Sequence, residues 1–359
     1  MTFERKNIRN MTGYIPGEQP ASKGVIKLNT NENPFPPSPA VKKALSEINT
    51  DKLKYYPQPT ASDLRDAIAR YHGIEKDKII VTNGGDELLR LAIASFVEAD
   101  EAIAVAEPTY TLYEVLAQAH GCKYVRFSLN NDWSLPKDFA HSLNSSNIKM
   151  CLLPNPHAPS GTLLTVKELA AIAEVFKGLL LIDEAYVDFV DPALNHDCVQ
   201  LLKEFDNILI LRTFSKGYSL AGLRIAYGLA DTSIINPMQS KTKDSYNTDY
   251  IAQKLAQAAL EDQTYAKETW HFVRTQRSIL KEALAKLGLP SVDSQSNFIL
   301  TDVPANINAG KLYERLKQKN ILVRHFNHAG QDNFLRITVG NENENQLLLS
   351  TLQDLLTDN

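Results

Sequence analysis

Seven short apolar runs constrain the fold of this chain more than any other feature of its sequence. They read IIVT (79–82), AIAVA (102–106), KYVRF (123–127), KMCLL (149–153), LLLID (179–183), ILILR (208–212) and RIAYG (224–228). Several lack polar alternation, as strands covered on both faces do, and helical patterns at 86–98, 109–120 and 165–176 separate several of them. The expected class is α/β, with a large domain built on a mostly parallel seven-stranded sheet flanked by helices. A helical tract over 249–287 then stops at Gly288 and Pro290. Strand patterns at 297–301, 321–324 and 334–339, with helical ones at 308–319 and 342–356, predict a smaller C-terminal α/β domain. Frequent Gly and Pro before residue 40 predict an extended arm. The resulting partition is an N-terminal arm (1–35), a large ligand-binding domain (36–248), and a long linker helix with the small domain (249–359).

Composition narrows the partners. Net charge is −4 across 359 residues, and Lys and Arg are dispersed rather than clustered, so neither nucleic acid nor an anionic membrane is an expected partner. A small molecule is. Cys122, Cys151 and Cys198 are too few and too far apart for a disulfide framework or a zinc ribbon, so no metal is expected. No run approaches a membrane span and the first residues lack an apolar leader core, so a cytoplasmic location is expected.

Dinucleotide, Walker-type and zincin signatures are missing. In open α/β sheets ligands gather beyond the carboxyl ends of strands, which singles out four places. Asp183 closes the run LLLID and is followed by Glu184, Ala185 and Tyr186; a carboxylate there needs a cation or strong donors, and the pair also suits a structural ion pair or a helix cap. Thr213, Ser215 and Arg224 bring two hydroxyls and a guanidinium to the loop that holds Lys216, a set suited to a phosphate beside an amine nucleophile. Gly84, Gly85 and Asp86 open a helix whose free N–H groups suit the same phosphate, although Asp86 and Glu87 are also ordinary first-turn residues. Tyr110 follows AIAVA and offers a ring to an aromatic ligand. Phosphate, lysine and aspartate together suggest pyridoxal 5′-phosphate, with its aldehyde on the lysine and its ring nitrogen on the aspartate.

Nine segments in order carry a family resemblance: YIPG (14–17), LNTNENPF (28–35), Tyr56-Pro57, GGDE (84–87), PTY (108–110), NPHAPSG (155–161), DEAY (183–186), RTFSK (212–216) continuing to Arg224, and Arg324 with FLRI (334–337). The chain resembles the histidinol-phosphate aminotransferase group of fold-type I pyridoxal-phosphate aminotransferases. The resemblance implies transfer of an amino group between histidinol phosphate and 2-oxoglutarate in histidine biosynthesis, by a homodimer with shared sites. It implies that Lys216 binds the cofactor and shuttles the proton, that Asp183 keeps the ring nitrogen protonated, and that Tyr186 donates to the phenolic oxygen. Tyr110 corresponds to the ring-stacking tyrosine. Gly85, Asp86, Thr213, Ser215 and Arg224 correspond to the phosphate cup, which Tyr56 reaches from the other subunit. Tyr14, Asn31 and Glu32 correspond to the arm and loop over the substrate, and Arg324 and Arg336 to its anion clamps.

One position departs from the family pattern: Ala158 stands where a second asparagine donates to the cofactor's phenolic oxygen. His157 either supplies the missing donor or faces solvent. An aromatic amino-acid aminotransferase and a threonine-phosphate decarboxylase share the same site pattern and remain alternatives. So does a non-enzymatic regulator on the same fold, against which the retained lysine, aspartate and arginines argue.

Overall fold

The computed structural model describes residues 3–20, 24–326 and 331–357. Residues 1–2 and 21–23 of the predicted arm lie outside these. Its strands are β1 (Ile26–Lys27), β2 (Ile79–Thr82), β3 (Ala102–Glu107), β4 (Lys123–Ser128), β5 (Met150–Pro154), β6 (Leu179–Asp183), β7 (Ile208–Thr213), β8 (Ala226–Ala230), β9 (Phe298–Asp302), β10 (Ile321–Leu322), β11 (Arg324–His325) and β12 (Phe334–Thr338).

The seven predicted runs form one sheet in the order β2-β8-β7-β6-β5-β3-β4. All neighbours from β7 to β4 are parallel, and β8 is antiparallel to both β2 and β7, so it alone runs against the rest. Consequently the start of β8 lies at the same sheet edge as the ends of the other strands. Period-two burial explains the unbroken apolar text. Ile208 and Ile210 enter one core with Leu180, Ile182, Cys151 and Leu153, while Leu209 and Leu211 enter the opposite core with Leu181, Met150 and Leu152. Each such Leu or Ile contributes about 1.5–3 kcal/mol by leaving water.

A three-stranded antiparallel sheet, β11-β12-β9, packs with C-terminal helices around a third core. Leu28 belongs to that core, and β1 pairs with β10. The segment before residue 35 is therefore stitched to C-terminal elements.

Three predicted boundaries shift for local reasons. Arg224 sits at φ 49°, a left-handed conformation that no strand accepts, so β8 begins two residues later than RIAYG. Asp262 breaks the 249–287 tract into helices Tyr250–Glu261 and Gln263–Lys286, its side chain accepting from the Tyr265 amide. The run ILVR divides at Val323 because β10 and β11 serve different sheets.

Candidate active site

The carboxyl ends of β2, β3, β5, β6 and β7 and the start of β8 bring most of the singled-out residues together. Lys216 follows β7, and its Nζ donates to the Thr30 carbonyl at 2.8 Å. Burial lowers its amine to about 8; Glu32 opposes this, while Arg336, Lys27 and Arg224 add to it. The amine therefore loses its proton far more readily than an ordinary lysine, as a nucleophilic lysine must.

Asp183 ends β6 and is 6% exposed. It accepts from the Tyr113 hydroxyl at 2.8 Å and from the Ala185 amide at 3.1 Å. Burial raises its carboxyl to about 6 although both donors pull the other way. Such a carboxylate is poised for a cationic partner. Tyr113, on helix Leu112–His120, was missed by the sequence reading; the signal was a tyrosine on a core-facing helical position, whose hydroxyl must find a partner. Glu184 faces away and holds Arg212, whose Nε donates at 2.7 Å, so the neighbouring acid is a structural ion pair.

Tyr186 accepts from Asn31 Nδ2 at 2.9 Å. Asn31 itself is fixed at φ 57° by Thr338 and by Asn297, which donates to its carbonyl at 2.9 Å. Glu32 pairs with Lys27 and Thr30, and despite burial these contacts lower its carboxyl.

At the helix Gly84–Phe96 the N-cap residue Asn83 makes no side-chain cap, and Glu87 accepts from the Asn83 amide. Gly84 has φ 76°, and a Cβ there would stand 2.8 Å from Arg224 Nη2. Arg224 also reaches Asp86 at 3.3 Å. Free backbone donors, a guanidinium and bare Cα atoms make an anion cradle. Thr213 and Ser215 stand beside it, joined by the Ser215 amide donating to Thr213 Oγ1 at 3.0 Å. Tyr110 lies edge-on to Tyr14, at 5.7 Å, and to Tyr113, at 5.4 Å.

From the small sheet, Arg324 and Arg336 face each other across β11 and β12. Like charges in register are unfavourable without an anion between them, and among the described residues neither has a carboxylate partner. Arg336 donates to the Asn29 carbonyl at 3.2 Å, and its Nε is buried with no partner among the described residues. Tyr56 stands apart from this group. It is 79% exposed and stacks on Tyr246, which is also exposed, at 4.4 Å. His157 is not solvent-facing: it is 8% exposed, Nδ1 meets Ser160 Oγ at 2.7 Å, and Nε2 has no partner among the described residues.

An amine beyond β7, a buried carboxylate at the end of β6 and an anion cradle beyond β2 and β8 share one edge of the sheet, a set that suits a phosphorylated aldehyde cofactor. The model of the family "Aminotransferase class I and II" matches residues 23–352, and the chain belongs to that family. It is 41% identical over 355 residues to the histidinol-phosphate aminotransferase of Microcystis aeruginosa and 39% identical to histidinol-phosphate aminotransferase 1 of Trichormus variabilis, covering 99% of each chain in both cases. Among solved structures it resembles histidinol-phosphate aminotransferase from Sinorhizobium meliloti in complex with pyridoxal 5′-phosphate, with TM-score 0.91 and 25% identity over 100% of this chain and 98% of the other. The fold is thus that of the fold-type I pyridoxal-phosphate aminotransferases. No helix of the described residues is long and apolar enough to cross a membrane.

Proposed function

We propose that the chain transfers an amino group between histidinol phosphate and 2-oxoglutarate, using pyridoxal 5′-phosphate. The observation that carries the substrate is the cross-strand pair Arg324 and Arg336: two guanidiniums in register, with no carboxylate partner among the described residues, suit a substrate with an anion of its own. The helix start at Gly84, the cradle beside Arg224 and the buried Asp183 fit the cofactor's phosphate and ring nitrogen. Gly85, Asp86, Thr213, Ser215 and Arg224 would hold that phosphate, and Tyr110 would pack on the ring. When bound, the cofactor supplies an aldehyde that takes up the amine and a ring that draws off the charge developing at the substrate Cα.

The chain's own residues do the rest. Lys216 Nζ would hold the aldehyde in the resting enzyme and, once displaced, would take the proton from the substrate Cα, its amine being available unprotonated more readily than that of an ordinary lysine. Asp183 would keep a proton on the ring nitrogen, its own ionisation favoured by that proton. Asn31 donates to the Tyr186 oxygen, which directs the Tyr186 proton outward to the phenolic oxygen. Tyr14, Asn31 and Glu32 line the substrate side. The exposed Tyr56–Tyr246 pair lies at a surface tied to the cradle, since Asn83 Nδ2 donates to the Asn247 carbonyl at 3.2 Å. A second subunit docked there would exchange Tyr56 between sites, giving a homodimer.

The test is product balance. With histidinol phosphate and 2-oxoglutarate, purified enzyme should form one glutamate for each histidinol phosphate consumed. Carbon dioxide released from threonine phosphate, with no glutamate formed, would overturn the proposal in favour of a decarboxylase.

A further inference from the structure

Behind Asp183, three side chains that the reaction does not use converge in the interior. Glu184 comes from the end of β6, and His196 and Cys198 follow it by 12 and 14 residues. One ligand atom from each lies within 4.8 Å of the others. His196 Nε2 stands 3.3 Å from Cys198 Sγ and 3.7 Å from Glu184 Oε1. All three side chains are buried, His196 at 2% exposure and Glu184 at 0%.

The hydrogen bonding here is incomplete in an informative way. Asn155 Nδ2 approaches His196 Nε2 at 3.4 Å, and the Asn155 amide is held in that orientation by Leu164, whose N–H donates to its Oδ1 at 2.8 Å. His196 Nε2 is therefore an acceptor. Glu184 Oε1 is another, buried and 3.7 Å from His196 Nε2, with the His196 and Cys198 side chains its nearest polar neighbours on that side and both lowering the Glu184 carboxyl. Two acceptors face each other, and a Cys198 thiol proton or a proton on His196 is what pairs them when no ion is present. Arg212 does not resolve this, because its Nε occupies the other oxygen, Oε2.

We propose that Glu184 Oε1, His196 Nε2 and Cys198 Sγ form a binding site for a zinc-class divalent cation. Bonds of about 2.0 Å to nitrogen or oxygen and about 2.3 Å to sulfur place tetrahedral ligand atoms roughly 3.3–3.6 Å apart; His196 Nε2 stands at 3.3 Å and 3.7 Å from its two partners, and all three atoms lie within 4.8 Å. The donor set suits a borderline-soft ion. On binding, the Sγ–metal bond forms as the thiol releases its proton to solvent. Water completes the fourth position. Entry runs through the exposed segment 191–195, which leads into His196. The ion ties the strand end that projects Asp183 to the following loop without touching the reaction.

The test uses the full chain with its cofactor bound. After dialysis against zinc, then against buffer, wild type and Cys122→Ser should each retain one zinc per chain, and Cys198→Ser none. Cobalt substitution should add d–d bands at wavelengths longer than the cofactor's, again lost in Cys198→Ser. Should that variant fail to fold, X-ray absorption of zinc-loaded wild type decides, since one sulfur neighbour is required. No retained zinc in wild type, equal zinc in folded Cys198→Ser, or only nitrogen and oxygen neighbours would each overturn the site. These readouts do not depend on which substrate the enzyme uses.

Discussion

Asp183 costs the cofactor-free protein stability, and that cost can be measured. Its carboxyl titrates at about 6 rather than the ordinary 3.8, chiefly because it is buried at the end of β6. In the native state it keeps its proton to higher pH than in the unfolded chain, so its contribution is fully present below about 3.8 and is lost as pH rises through 6. At 1.36 kcal/mol per unit the full loss is roughly 3 kcal/mol, of which about 2 falls between pH 4.5 and pH 8. Asp183→Asn has nearly the same shape and does not titrate. The assay is urea unfolding of cofactor-free wild type and variant at several pH values. Altered hydrogen bonds to Tyr113 and Ala185 add an offset that is constant with pH, so the quantity of interest is how the difference between the two proteins changes. It should move by about 2 kcal/mol in favour of the variant from pH 4.5 to pH 8. A difference flat to within about 0.5 kcal/mol would refute the reasoning, because Asp183 would then ionise as easily folded as unfolded. With cofactor present the order should invert, since only the carboxylate stabilises a protonated ring nitrogen.

Other perturbations separate the remaining roles. Tyr113→Phe removes a charge-assisted donor worth about 1.5–3 kcal/mol, so cofactor affinity should fall on the acid side and its acid limb should move up by roughly 1–2 pH units; an unmoved limb would deny Tyr113 that role. Gly84→Ala puts a Cβ 2.8 Å from Arg224 Nη2 at a φ of 76°, and should weaken cofactor binding more than it lowers turnover at saturating cofactor. In Ala158→Asn an added donor near the phenolic oxygen should lower the pH at which cofactor absorbance titrates; no change would mean that His157 or water already donates there. Borohydride reduction followed by peptide mapping should label Lys216, with Lys241 as the control that stays free.

Much of the fold was legible because its signals are local. Buried parallel strands need apolar residues on both faces, so IIVT, LLLID and ILILR stand out in the text, and the residues just past them mark the ligand edge whatever the ligand is. That rule singles out Lys216, Asp183 and Gly84, which the fold brings to one edge of the sheet. It misses Tyr113, because its contact with Asp183 spans 70 residues and joins a helix face to a strand end. Arg224 looked like strand text, yet the left-handed turn that aims its guanidinium at Gly84 depends on tertiary contacts. For His157, burial comes from the loop's fold, which composition does not encode. The Glu184, His196 and Cys198 group follows no motif spacing, so only the packed structure brings it to notice.

The most direct test of the central claim compares kcat/KM for histidinol phosphate and phenylalanine in wild type and in Arg324→Ala. Wild type should prefer histidinol phosphate. Arg324→Ala should lose several kcal/mol, at least about a hundredfold, on that substrate and change little on phenylalanine, which has no distal anion. Wild-type preference for phenylalanine, with Arg324→Ala nearly silent on both substrates, would contradict the assignment and make the chain an aromatic amino-acid aminotransferase.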